Sequence, residues 1–77
     1  MMPQAKYRVT QEMIDSVFSE PKFRKKFSHP LKDKHICEMR VNGAIYKDIA
    51  KRYRMSEYYC KQTVARVARI YTVFLSP

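Results

Sequence analysis

The chain has one glycine, no tryptophan and two cysteines among its 77 residues. A single glycine excludes the glycine-rich loops that cradle phosphates and leaves little for tight hairpins. Cys37 and Cys60 are too few for a disulfide framework and point to no oxidising compartment. No apolar run approaches the length that spans a bilayer, and the first residues lack the basic-then-apolar pattern of an export signal. The expected location is therefore the cytoplasm, away from membranes. Acid is scarce as well: seven Asp and Glu face sixteen Lys and Arg, a formal charge of +9. A chain this short holds one small domain and has little room for an enlarged catalytic cleft.

What is present is apolar and basic. Hydrophobic residues make up 45% of the chain and include six Tyr and four Phe, enough for a folded core rather than a disordered polycation. The charge is uneven. Residues 1–21 carry a net −1, whereas residues 22–40 and 41–77 carry +5 each. An anionic partner, most simply nucleic acid, suits such an excess, and the N-terminal segment is the stretch least suited to touch it.

Helix boundaries are marked locally. Thr10 is a candidate N-cap, followed by Met13, Ile14, Val17 and Phe18 on one helical face. Pro21 ends that helix or opens the next. Phe23 and Phe27 stand among four bases, as a short amphipathic turn of helix or a basic connecting strand. Pro30 suits the first position of a helix running through Leu31, His35, Ile36 and Met39, closed by Asn42-Gly43. Ile45, Ile49, Ala50 and Tyr53 then line a helix of about nine residues. Arg54-Met55-Ser56 interrupts it, with Ser56 a good N-cap for a last helix whose inward stripe is Cys60, Val64, Val67, Tyr71 and Phe74. The expected fold is all-α, a small domain of four to five helices. Residues 1–30 form an N-terminal helix and basic connector, a candidate oligomerisation element, and residues 31–77 form the core.

Two basic helices across a short turn are the signature of a helix-turn-helix, testable over residues 46–65. The fifth position must be small where the helices cross, and Ala50 is. Apolar residues are needed at the fourth, eighth and tenth, supplied by Ile49, Tyr53 and Met55. The fifteenth points back into the wedge and is Cys60; Val64 and Val67 continue the same face. The ninth favours Gly but is Arg54, and the eighteenth, usually aliphatic, is Thr63. Any helical hairpin of a small bundle is the competing reading, and the charge favours DNA.

At about 100° per residue, with Cys60 pointing inward, Tyr58, Gln62, Ala65 and Arg69 fall within roughly 40° of the outward direction. Lys61 and Arg66 flank them, and Tyr59 joins Tyr58 at the first turn. Gln pairs with adenine and Arg forks onto guanine in the major groove, and Ala65 allows close approach to a thymine methyl. These seven residues are the candidate base-reading set. Lys47, Lys51, Arg52 and Arg54, with Ser56 at the turn, are the candidate phosphate contacts, although a cap accounts for Ser56 equally well. A solvated basic face is the bland account of each residue alone; as a group they favour contact.

Val41-Asn42-Gly43, Tyr46-Lys47-Asp48-Ile49-Ala50, Tyr53, Met55, Tyr59 and Thr63-Val64-Ala65-Arg66-Val67-Ala68-Arg69 together carry a resemblance. Over about residues 31–71 the chain resembles the PapB family of bacterial adhesin-operon regulators and, more loosely, KorA-like plasmid repressors. The turn departs from that family's Asn-rich pattern with Ser56-Glu57-Tyr58. The resemblance implies an all-helical transcription factor that binds operator DNA and self-associates.

Other chemistry has little support. His29, His35 and Cys37 match no ordinary zinc spacing, and neither Asp33 with His35 nor Asp15 with Ser16 lies in a nucleophile-elbow or paired-carboxylate pattern. No enzyme activity, cofactor or metal is expected. The partners expected are double-stranded DNA and a second copy of the chain. A dimer would join through the apolar termini, with Val17 and Phe74 at the interface. The alternative is that the first helix packs over the C-terminal turns within one chain. Two competing functions are a basic module gripping an acidic protein through residues 22–40, and RNA binding.

Overall fold

The computed structural model describes residues 8–75, so residues 1–7 of the expected N-terminal segment lie outside the described residues. Five helices follow one another: α1 Gln11–Phe18, α2 Pro21–Arg24, α3 Pro30–Val41, α4 Tyr46–Tyr53 and α5 Glu57–Ile70. A π-helical turn, Tyr71–Leu75, continues α5. Among the described residues there is no strand, and the all-α expectation holds. None of the described helices is long and apolar enough to cross a membrane.

The local signals act where the sequence places them. The Thr10 hydroxyl accepts from the Met13 amide at 3.2 Å and starts α1. Pro21 and Pro30 open α2 and α3, where a missing N–H costs nothing. Residues 22–27 therefore begin as helix rather than as a strand, and Phe23 and Phe27 are both buried. Gly43, at φ +98°, turns the chain out of α3.

α3 divides the interior. Cys37 faces a large cluster that holds Val9, Ile14, Val17, Phe18, Phe23, Phe27, Val64, Val67 and Ile70. Its neighbour Ile36 faces a smaller one with Ile49, Ala50 and Cys60. α5 bridges both, sending Cys60 one way and Val64, Val67 and Ile70 the other. The extents of 34 × 33 × 18 Å describe a slab about two helices thick.

Four expectations need correction. Leu31 is 78% exposed, and its place on the buried face of α3 is taken by Asp33, three residues before Ile36. Ile45 caps α4 from outside, largely exposed, instead of lining its inner face. Past Ile70 the winding changes to i→i+5, which rotates everything that follows. Ile70, the last residue of α5, is buried, whereas Tyr71 is only half-buried and Phe74 is 62% exposed. Finally, α1 packs on α3, α5 and the terminal turn of its own chain. Val17 has no exposed surface, so it cannot belong to an interface between copies; the intrachain packing is what forms. Residues 9–27 thus share the larger cluster with Cys37 of α3 and with Val64, Val67 and Ile70 of α5.

Candidate nucleic-acid interface

α4 and α5 are joined by residues 54–56 alone. Arg54 stands at φ 57°, ψ 42°, in the left-handed region, which explains why glycine suits this position. The Met55 amide then donates to the Ala50 carbonyl at 3.0 Å, closing α4. Ser56 ends the turn: its hydroxyl accepts from the Tyr59 amide at 2.9 Å and caps α5. Of its two candidate roles, this geometry accounts for the cap.

Inside the wedge, Ile49, Ala50 and Cys60 are buried, with Tyr53 and Met55 half-buried at its edge, whereas Val64 and Val67, expected on the same face, are buried in the larger cluster instead. Thr63, the partly polar member, is buried too, and its hydroxyl donates to the Tyr59 carbonyl at 2.9 Å. That bond leaves the buried hydroxyl satisfied. Both cysteines are buried and unbridged. Burial first, and then the charge of Asp33, pushes both thiols above their ordinary range, so they serve as small apolar groups rather than nucleophiles.

The outer face of α5 presents Tyr58, Lys61, Gln62, Arg66 and Arg69 exposed, with Ala65 half-buried between them. Tyr58 is 70% exposed. Tyr59 does not join them: its hydroxyl donates to Asp33 Oδ1 at 2.7 Å. Asp33 is only 1% exposed and takes a second bond, at 3.3 Å, from the His29 amide. Burial, reinforced by the bond to Asp33, pushes the Tyr59 phenol up to about 12. Tyr59 is thereby a tie between α5 and the start of α3. Arg66 is also engaged internally, donating to the Lys26 carbonyl at 2.6 Å beside the Phe27 ring.

Lys47, Lys51, Arg52 and Arg54 are all exposed on α4 and its turn. Arg40, which periodicity did not single out, comes close by. Its guanidinium lies 4.6 Å from the centre of the Tyr46 ring and donates to the Ala44 carbonyl at 3.0 Å, while Lys61 Nζ stands 5.8 Å from the same ring. That convergence depends on the bend at Gly43 and leaves no trace in local spacing.

Charge compensation is missing from this surface. Among the described residues no lysine or arginine lies within 4.0 Å of a carboxylate; the one contact of that kind is His35 with Glu38, at 3.9 Å. Asp48 and Glu57, the only acids of α4 and α5, sit in the first turns, where they meet the positive ends of the helix dipoles. The cations are left facing solvent. Among the described residues no three His, Cys, Asp or Glu side chains are grouped to hold a metal ion.

Fold and surface together define a small all-α domain whose last two helices carry a cationic face. No protein-family model, curated protein or solved structure matches the chain.

Proposed function

We propose that the protein binds duplex DNA through α4 and α5, used as a helix-turn-helix. The observation that carries this reading is the exposed set Tyr58, Gln62 and Arg69, with Ala65 among them, on the side of α5 turned away from the wedge. Such a face offers an amide and a guanidinium to base edges where α5 enters the major groove. Lys47, Lys51, Arg52 and Arg54 then meet phosphates, supplying affinity without sequence preference. The function that follows is a cytoplasmic regulator of transcription, a repressor of its own or a linked operon, acting by occupying its operator. The resemblance to PapB-family regulators implies the coarser part of this, a transcription factor that binds operator DNA and self-associates. Two copies per operator belong to the reading, because one recognition helix spans too few base pairs for genomic specificity.

The test is a gel shift on the gene's own upstream DNA with random-duplex competitor, at stated salt. Gln62→Ala and Arg69→Ala should each lose about 1–3 kcal/mol on the preferred duplex and little on random DNA. Lys47→Ala with Arg52→Ala should weaken every duplex alike and flatten the salt slope by about one unit per lost phosphate contact. Equal loss on operator and random duplex from the α5 substitutions would reject base reading by this helix.

A further inference from the structure

Where the π-helical turn leaves α5, a groove of about 540 Å³ opens between Lys26, Arg66, Arg69, Ile70, Val73 and Phe74. Its composition differs from that of the surface around it. Val73 and Phe74 are 64% and 62% exposed, the two largest apolar exposures on this end of the molecule. Phe74 is exposed because the i→i+5 winding turns it out of the stripe that Val64 and Val67 follow, and Val73 lies off that stripe to begin with. The Phe74 ring is nonetheless held, 5.4 Å from the centre of the Phe23 ring in a tilted stack. Three cations rim this apolar floor, none with a carboxylate of the described residues within reach. One of them, Arg66, is fixed by its bond to the Lys26 carbonyl, which leaves the rest of its fork free.

We propose that this groove docks an acidic amphipathic segment of another protein, with carboxylates on Lys26, Arg66 and Arg69 and an apolar side chain on Val73 and Phe74. Each component of the groove argues for that occupant. An exposed apolar floor inside a polar rim marks a protein contact, and a fixed arginine fork matches a carboxylate. A second copy of this chain fits badly, because a two-fold contact would bring two cationic rims together and the exposed acids of α1 have no exposed apolar neighbour on their own helix. A nucleic-acid strand fits badly as well: Ile70 and Val73 are aliphatic and give a base no flat partner, and Phe74 is already stacked on Phe23. The inference stands on the groove and does not require the DNA reading.

The probe is a fluorescein-labelled synthetic helix of sixteen or so residues with Leu and Phe on one face and Glu flanking them, read by anisotropy against the full chain. Two control peptides replace every Glu by Gln, or every Leu and Phe by Ala. The first peptide should bind, both controls should lose at least about tenfold, and so should Val73→Asp and Arg69→Glu. Phe74→Ala, checked for helicity, should follow them. Binding of the acidic Ala control as well as the parent would mean polycation attraction only, and overturns the proposal. So does an unchanged affinity in Val73→Asp. Oligo-dT bound in a Phe74-dependent manner, with the peptide ignored, would reassign the groove to single strands. A dimer in sedimentation that Val73→Asp dissociates would reassign it to a second copy.

Discussion

The cluster beneath α1 and the wedge between α3, α4 and α5 are built differently by neighbouring helices. Beneath α1, three phenylalanines and a set of Val and Ile close over one another, and Phe18 and Phe27 stack at 4.6 Å between ring centres. In the wedge only Ile36, Ile49, Ala50 and Cys60 are buried, ringed by half-buried Met39, Ala44, Tyr46, Tyr53, Met55 and Tyr59. α5 is clamped by both interiors, whereas α4, with most of the candidate phosphate contacts, is anchored mainly by the smaller one. The larger buried cluster thus lies away from α4, and of the two helices in the proposed DNA-binding pair α4 is expected to open more easily. Low local stability at a ligand-facing element is a common arrangement.

The heaviest blow to this contrast should come from Ile14→Ala, which removes a side chain with no exposed surface from the large cluster. It should cost about 3–5 kcal/mol, read as a lower urea midpoint for the whole domain. Such a loss approaches the total stability of a domain this small, so Val17→Asp should leave the chain unfolded rather than monomeric. Ile49→Ala, at an equally buried place in the wedge, should cost about 2–4 kcal/mol. Hydrogen exchange should show the α4 amides opening before those of α1. If both helices exchange together, the two interiors are one cooperative unit and the distinction falls.

Tyr59→Phe sharpens the comparison from the polar side. It deprives buried Asp33 of its 2.7 Å donor and should cost about 1–3 kcal/mol. The pH dependence has a definite sign. The folded phenol titrates at about 12, above its ordinary 10. The unfolded chain therefore loses this proton first, and stability contributed by Tyr59 is complete below pH 10 and lost as pH rises toward 12. Tyr59→Phe should remove that part of the alkaline slope.

Smallest of all should be Arg54→Gly. Relieving a left-handed residue at φ 57° should raise stability by up to about 1 kcal/mol. On the DNA reading, the same change should weaken binding to all duplexes equally by removing a phosphate contact. A substitution that destabilises the fold would show that the Arg54 side chain holds the turn by contacts of its own.

Much of this architecture follows from the sequence alone, because helix ends are decided within a few residues. Thr10 and Ser56 cap through their own hydroxyls, Pro21 and Pro30 cannot donate and so begin helices, and Gly43 takes a positive φ at no steric cost. The wedge residues were legible for the same reason: helical period keeps Ile49, Ala50 and Cys60 on fixed faces whatever the neighbours do. Tertiary structure decided the rest. Whether Leu31 or Asp33 turns inward depends on how α3 is rotated against α5, where Tyr59 waits to satisfy a carboxylate. Arg66 is drawn from the reading face by a carbonyl forty residues earlier in the chain. α1 spends its apolar stripe on its own chain because α3 and α5 already form a trough for it. Phe74 faces solvent because one change of helical winding outweighs a periodicity that was regular up to Val67. Period and capping act over one turn of helix, while rotation, long-range hydrogen bonds and winding are settled only by what the helices meet.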